Sequence, residues 1–249
     1  MSDDLIIGVD VSAHQTPNEI DWEAFRAAGV RYAILKAAEG IGGALYKADQ
    51  HASRAEAAGV LLGYYAFMRP RLPKYNAELA QGDDVRAAAR GQAEQFLDNV
   101  SALPYPAMGL WADLEVLDPK KRLTAHQLAD FLEEFCVRCA TVGYPVGIYS
   151  GYYFLRDEIT PDALRERGLE RFPLWIPWYH GSATGPKRIP EPWSEWSIHQ
   201  WTEKGKLPGY KGPIDLNVAR RKSVTKILKS HPGARILPDW AQDLLIPAV

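Results

Sequence analysis

Residues 109–115 read Gly-Leu-Trp-Ala-Asp-Leu-Glu, which is typical of a buried strand that ends in two carboxylates. Because the side chains of a strand alternate between its two faces, Asp113 and Glu115 are expected to point to the same side. Two adjacent acids repel, so one should keep its proton at neutral pH. A protonated carboxylic acid beside an ionised one is the pair that glycoside hydrolysis requires. An isolated pair of this spacing is more often solvated or helix-capping, so the rest of the chain must decide.

The composition bounds the class of protein. The chain has 249 residues and is 47% hydrophobic, which suits one barrel-sized domain or two small ones. A formal net charge of -2 gives no electrostatic reason to expect nucleic acid as a partner. We find no basic amphipathic stretch, no apolar run near the ~20 residues of a membrane helix, and no signal-peptide pattern at the start. We therefore expect a protein that is made in the cytoplasm without a signal peptide. It would reach an extracellular target only after release or export.

Strand and helix patterns alternate along the first part of the chain and then give way to strands alone. Alternation of this kind favours a parallel sheet, and roughly eight strands favour a closed barrel related to the (β/α)₈ type. The lack of late helices predicts an irregular version. The predicted strands are residues 5–12, 30–37, 60–67, 109–115, 145–150, 174–179, 196–202 and 214–218. We expect one catalytic domain over 1–249, with its core at about 5–220 and a C-terminal helix and tail at 221–249.

Several common chemistries lack their sequence motifs here. Cys136 and Cys139 lie one helical turn apart within a helical pattern, which favours buried thiols over a redox or metal pair. His14, His180 and His199 lie near predicted strand ends, but they lack the spacing of a metal site. No phosphate-binding loop, dinucleotide fingerprint or nucleophile elbow is present. We therefore expect neither a cofactor nor a metal.

Acidic and aromatic side chains gather at the predicted strand ends. In a barrel of this type the C-terminal ends of the strands converge on one face, where active sites lie. Acids for bond cleavage combined with aromatic platforms predict a carbohydrate site. The acids are Asp10, Glu39, Asp113, Glu115 and Asp215, and the aromatic residues are Tyr64, Tyr65, Tyr149, Trp178, Tyr179 and Trp201.

An ordered set of motifs resembles the family 25 glycoside hydrolases, the N-acetylmuramidases or lysozymes typified by fungal and phage enzymes. The central match is the D-x-E of residues 111–115. The motifs run in the family's order from about residue 6 to residue 220, and the ordered set is far more specific than any single match. The other motifs lie at residues 8–12 with 20–22, 34–40, 63–67, 174–179, 199–202 and 214–217.

The resemblance implies a flattened barrel of five β/α units with late antiparallel strands. It also implies hydrolysis of the β-1,4 bond between N-acetylmuramic acid and N-acetylglucosamine in peptidoglycan. We expect the protein to act on these glycan strands as a monomer. Glu115 would be the general acid, and its partner Asp113 would orient the 2-acetamido group or act as nucleophile. Asp10 and Asp215 would flank the cleft. The implied substrate-binding residues are Tyr65, Trp178, Gln200, Glu39 and Lys36, although barrel packing explains Tyr65 and Trp178 equally well.

Two other functions remain open at this point. A chitinase-like barrel hydrolase also ends a strand in D-x-E, but it usually carries further acids before it, where this chain has Gly109 and Trp111. A non-catalytic glycan-binding barrel would keep the fold and lose the acid pair, which is present here. The expected absence of a signal peptide is compatible with a phage endolysin. Since a barrel alone does not define a function, the choice depends on the site.

Overall fold

Eight strands close into a single barrel in the computed structural model, which describes residues 4–42, 44–70, 85–117, 123–230 and 237–245. Each strand pairs with its neighbours in chain order, and the last returns to the first. The predicted α/β barrel is therefore confirmed. The strands are β1 (Leu5–Val11), β2 (Tyr32–Glu39), β3 (Leu61–Phe67), β4 (Leu110–Asp113), β5 (Val146–Tyr149), β6 (Leu174–Pro177), β7 (Ile198–Gly205) and β8 (Ile214–Arg220).

Seven α-helices of the described residues surround the strands, and local sequence explains where several of them begin. Asp21 accepts a hydrogen bond from the backbone N–H of Ala24 at 3.0 Å, which caps the first helix. Thr124 and Gln127 form the reciprocal bonds of a capping box at the fourth. The helices are α1 (Trp22–Ala27), α2 (Ala48–Ala57), α3 (Val85–Ser101), α4 (Ala125–Ala140), α5 (Pro161–Glu166), α6 (Arg221–Lys229) and α7 (Asp239–Gln242).

The family resemblance implied several late antiparallel strands, whereas only the last strand is antiparallel. Strands β1 to β7 are all parallel, and β8 alone runs against both of its neighbours, β7 and β1. The chain between β6 and β7, residues 178–197, is long enough to return along the outside of the barrel and begin a parallel strand. The connection at 206–213 is too short for that return, so β8 pairs as the second strand of a hairpin.

Apolar side chains fill two layers, one between the strands and the helices and one inside the barrel. Leu110, Ala112 and Leu114 belong to the outer layer, whereas Trp111 packs inside, as the alternation along β4 predicts. The interior is aromatic: the ring centroids of Trp111 and Trp175 lie 5.8 Å apart. Because large rings fill this space, the strands beside them carry glycine. A Cβ atom on Gly147 would lie 2.2 Å from the ring of Trp111.

The C-terminal segment closes one end of the barrel. Helix α6 follows β8 directly and buries Val224, Ile227 and Leu228 against the inner layer. Trp240 in α7 donates a hydrogen bond from Nε1 to the carbonyl of Gly59 at 3.0 Å. The C-terminal ends of β1 to β7 lie at the other end, which we call the mouth. No helix within the described residues is long and apolar enough to cross a membrane.

Candidate active site

Strands β1, β4 and β8, together with the residues that follow β4, bring four acids to the mouth. Asp10 near the end of β1 pairs in register with Asp215 on β8. Asp113 ends β4, and Glu115 follows two residues later. The sequence predicted Asp215 at the C-terminal end of a strand, and this is wrong: Asp215 lies at the start of β8. It still reaches the mouth because β8 runs in the opposite direction.

Two buried amides hold the carboxylate of Asp10. Gln200 Nε2 donates to Asp10 Oδ2 at 2.9 Å, and Asn217 Nδ2 donates to the same oxygen at 2.6 Å. The side-chain Oδ1 atom of Asn217 accepts a hydrogen bond from Trp175 Nε1 at 2.8 Å, which fixes the orientation of the side-chain amide. Since both amides point their donors at one oxygen, the site is built for an ionised Asp10.

Gln200 is fixed in the same way by two tyrosines. Its Oε1 atom accepts hydrogen bonds from the hydroxyls of Tyr149 at 2.9 Å and Tyr179 at 2.7 Å. The Gln200 side chain is 3% exposed. It was predicted to bind substrate, but its amide is occupied by Asp10 and these hydroxyls. Its contacts are those of a residue that positions Asp10.

Asp10 and Asp215 share one proton. Burial raises the pKa of Asp215 to about 9, with help from the negative charge of Asp10 and the hydrogen bond between the two. Burial also raises the pKa of Asp10, while the hydrogen bonds from Asn217, Gln200 and Asp215 oppose that rise. Because Asp10 receives the amide donors, the proton stays on Asp215 and the pair carries one negative charge at neutral pH.

Asp113 and Glu115 form the second pair. Asp113 is 4% exposed, and its Oδ1 atom has no hydrogen-bond partner among the described residues. Burial and then the charges of Glu115 and Asp10 raise the pKa of Asp113 well above its usual value. Glu115 is exposed at the mouth, yet the walls around its carboxyl reduce hydration enough to raise its pKa, and Asp10 adds to that rise. Burial thus favours the protonated form of both acids, and the charge of Glu115 favours a proton on Asp113.

An aromatic groove of about 470 Å³ begins at Glu115. The rings of Tyr153 and Trp178 stack with centroids 6.4 Å apart and planes inclined by 26°. Tyr153 is 57% exposed and Tyr179 is 51% exposed, which is unusual for such large side chains. The groove is lined by Glu115, Tyr149, Gly151, Tyr152, Tyr153, Phe154, Pro177, Trp178 and Tyr179.

The predicted sugar-binding residues Lys36 and Glu39 contact each other at the other side of the mouth. Lys36 Nζ donates to Glu39 Oε2 at 2.5 Å. Arg69 donates from Nε to Glu39 Oε1 at 2.9 Å and forms an ion pair with the same carboxylate. Burial alone would raise the pKa of Glu39, but the bonds from the two cations hold it below its usual value. The Glu39 carboxylate is therefore ionised at neutral pH.

The structure separates the predicted aromatic residues. Trp178 lines the groove, whereas Tyr65 is 9% exposed and packs edge-on against Trp175 inside the barrel, with centroids 6.3 Å apart. The sequence interpretation missed Asn217 and Tyr153. Asn217 follows Asp215 by two residues on one strand, so the period of two could have assigned it to the same face. Tyr153 precedes a π-helical turn that no sequence signal predicted.

Among the described residues, no group of His, Cys, Asp and Glu side chains has the arrangement of a metal site. His199 is buried, and burial lowers its pKa to about 4, although its bond to the Trp178 carbonyl opposes that shift. His199 is therefore neutral at pH 7. Cys136 and Cys139 are free thiols buried in α4, as predicted.

A closed barrel with paired carboxylates and an aromatic groove at its mouth defines a class of protein, the barrel enzymes that hydrolyse glycosidic bonds through carboxyl groups. Within that class the chain belongs to family 25 of the glycosyl hydrolases, whose family model matches residues 9–210. The family inferred from the sequence motifs is therefore confirmed.

Individual relatives agree with this assignment. The chain is 32% identical over 118 residues to lysozyme-like protein 5 of Caenorhabditis elegans. The aligned residues make up 47% of this chain and 53% of that protein, so the match spans about half the length of the relative. The fold is similar to that of the bacterial lysozyme from Streptomyces coelicolor (20% identity, 91% of this chain and 98% of that chain, TM-score 0.69). It is also similar to the muramidase from Trichobolus zukalii (22% identity, 91% and 100%, TM-score 0.67).

Proposed function

We propose that this protein hydrolyses the β-1,4 bond between N-acetylmuramic acid and N-acetylglucosamine in peptidoglycan. The observation that carries the proposal is the pair Asp113 and Glu115, which share one side of the mouth and both have a raised pKa. Family membership and the relatives named lysozyme or muramidase support the choice of substrate.

Glu115 is the proposed general acid. It is the exposed member of the pair, and it opens onto the aromatic groove, where a glycan would pass. Burial and then the negative charge of Asp10 raise the pKa of Glu115, which favours the protonated form that a general acid needs. That proton would pass to the glycosidic oxygen as its bond to the anomeric carbon breaks, and the resulting carboxylate would then take a proton from the attacking water.

Asp113 is the proposed partner on the sugar side of the bond. Its buried Oδ1 atom lacks a hydrogen-bond partner, and leaving such an atom unpaired is costly. An acetamido N–H of the substrate would supply the missing donor and orient the acetamido oxygen towards the anomeric carbon. The alternative role for Asp113 is direct attack on the anomeric carbon, which the same position of its carboxylate would serve. Asp10 and Asp215 would flank the cleft as a pair with a single negative charge.

The aromatic groove is the proposed platform for the glycan. Trp178 and Tyr153 line the groove that begins at Glu115, and sugar rings stack on aromatic rings through their C–H groups. Gln200 and Tyr65 are assigned supporting roles, because Gln200 binds Asp10 and Tyr65 fills the barrel interior.

The proposed working form is a monomer that acts on the glycan strands of the cell wall, since one barrel mouth supplies every group assigned to the reaction. Sedimentation of the active protein at working concentration should give the mass of one chain, 27.8 kDa. A dimer that dissociates together with loss of activity would contradict this assignment.

The decisive experiment is digestion of purified peptidoglycan followed by mass spectrometry and reducing-end analysis. Fragments with N-acetylmuramic acid at the new reducing end are expected. Fragments that end in N-acetylglucosamine would mean a glucosaminidase, cleavage of chitin oligomers alone would mean a chitinase-like enzyme, and binding without cleavage would mean a glycan-binding barrel. Any of these three results would refute the proposal.

The role of Glu115 has a matched test. Glu115→Gln should fold normally and lose about 10²- to 10⁴-fold in kcat, because an amide cannot donate the proton. Glu170→Gln makes the same change at an exposed residue just before β6, at the closed end of the barrel, and should keep the parent rate. Equal rates for Glu115→Gln and the parent protein would contradict the assignment.

A further inference from the structure

Two cations and one carboxylate at the ends of β2 and β3 form what we call the Lys36–Glu39–Arg69 cluster. Besides binding Glu39, both cations lie against the ring of Phe67: Lys36 Nζ is 4.9 Å from its centroid and the guanidinium carbon of Arg69 is 4.5 Å away. Lys36 Nζ also lies 4.6 Å from the ring centroid of Tyr46. These contacts fix the positions of both positive charges.

The cluster lies beside Asp113. Phe67 is the cross-strand partner of Glu39 on one side and of Asp113 on the other. The backbone N–H of Met68 donates to the Asp113 carbonyl at 2.8 Å, which continues this pairing past the end of β3. The Lys36 side chain is only 13% exposed. Its charge is therefore poorly screened by solvent.

The charge balance around Asp113 makes this position important. Acidic groups face Asp113 from two directions, Asp10 on β1 and Glu115 on its own segment, and the charge of each raises the pKa of Asp113, whereas Asp215 on β8 keeps a proton. The phenols of Tyr65 on β3 and Tyr149 on β5 stay neutral, because burial raises the pKa of each well above its usual value. Among the described residues, the positive charges that oppose this rise are Lys36 and Arg69 of the cluster, which carries a net charge of +1.

We propose that the Lys36–Glu39–Arg69 cluster is an electrostatic support that favours the ionised form of Asp113 against its burial and against the neighbouring acids. The cluster then acts through Asp113 and does not form part of the sugar-binding wall, so Lys36 and Arg69 are positioning residues. Glu39 holds the two cations together against their mutual repulsion. This inference rests on the proposed function, because it assigns the cluster a part in the same reaction.

The two cations do not act equally on the two acids. Lys36 opposes the rise in pKa of both Asp113 and Glu115, whereas Arg69 acts on Asp113. A nearby positive charge lowers the pKa of a carboxyl group by about 1 to 3. Removing Lys36 should therefore move both limbs of the pH profile to higher pH. Removing Arg69 should move the acid limb alone and narrow the profile.

The test measures kcat/KM against pH on solubilised peptidoglycan strands. In Lys36→Met both limbs should rise by about one pH unit. In Arg69→Gln only the acid limb should rise, and Lys36→Arg should restore most of the parent profile because it returns the charge. Lys226→Met removes an exposed lysine from α6 and should leave the profile unchanged. Higher KM with an unshifted profile in Lys36→Met would overturn the inference and restore a sugar-binding role.

A second readout does not depend on activity. The ¹³C signal of the Asp113 carboxyl, assigned by its loss in Asp113→Asn, should titrate at higher pH in Lys36→Met than in the parent. An unchanged midpoint would refute the inference even in an active enzyme. If the midpoint shifts in Lys36→Met but the parent protein cleaves no cell wall, the proposed function is refuted and the electrostatic support stands. If Lys36→Met does not fold, Arg69→Gln and Lys36→Arg carry both measurements.

Discussion

Asn217→Ala tests whether the buried amides hold Asp10 as a charged group. The substitution removes two hydrogen bonds at once: the 2.6 Å donation to Asp10 Oδ2 and the 2.8 Å bond accepted from Trp175 Nε1. Asn217 is fully buried, so no solvent is at hand to replace either bond. We expect a loss of stability that depends on pH, because one of the two bonds involves a titrating partner.

The magnitude follows from the two bonds. A hydrogen bond to a charged group contributes about 1.5–3 kcal/mol, and a buried N–H left without a partner costs about 1–3 kcal/mol. At neutral pH the two contributions add to about 2.5–6 kcal/mol. Since burial already raises the pKa of Asp10, loss of the Asn217 donor raises it further. A raised native pKa of an acid costs stability as pH rises, so the deficit should shrink to about 1–3 kcal/mol near pH 4.

The assay is urea unfolding at both pH values, with Asn99→Ala as the matched control. Asn99 is also buried, but it donates to the uncharged carbonyl of Ala37 at 2.7 Å, so its cost should be about 1–2 kcal/mol and independent of pH. The reasoning is refuted if the cost of Asn217→Ala stays constant between the two pH values. It is also refuted if that cost is no larger at neutral pH than the cost of Asn99→Ala.

Two further predictions concern packing and substrate binding. Gly8→Ala would place a Cβ atom 2.2 Å from the ring of Tyr32 and should destabilise the barrel by about 1–3 kcal/mol in thermal unfolding. Gly151→Ala is the control, because a Cβ atom there meets open space. Equal melting temperatures for the two variants would contradict the packing argument. Tyr153→Ala should leave the barrel folded and raise KM for glycan strands about 2- to 10-fold, since a stacked ring contributes about 0.5–1.5 kcal/mol. An unchanged KM would exclude Tyr153 from the glycan platform.

The sequence predicted much of the fold because the relevant signals are local. Alternation along residues 109–115 assigned Asp113 and Glu115 to one face, and the structure places Asp113 inward with Trp111, as alternation requires. The helix that starts after Thr124 was predicted from its capping box, whose two bonds form between residues three positions apart. Such patterns depend on neighbouring residues alone and survive in any tertiary context.

The direction of β8 and the partners of the acids were decided by tertiary structure. Nothing in residues 214–218 shows whether that strand is parallel, so Asp215 was assigned to the wrong end of it. The two residues of the Asp10–Asn217 bond are 207 positions apart, and they meet because the barrel closes β8 onto β1.

The sequence by itself therefore determined the barrel class, the family and the acids at the mouth, because periodicity, caps and ordered motifs are properties of the chain. Tertiary structure decided which side chains are free for substrate. Gln200 and Lys36, predicted to bind sugar, are bound by Asp10 and Glu39. The physical reason is that a polar side chain in a barrel takes the partner that strand register brings within hydrogen-bond distance, and register is set by closure of the whole sheet.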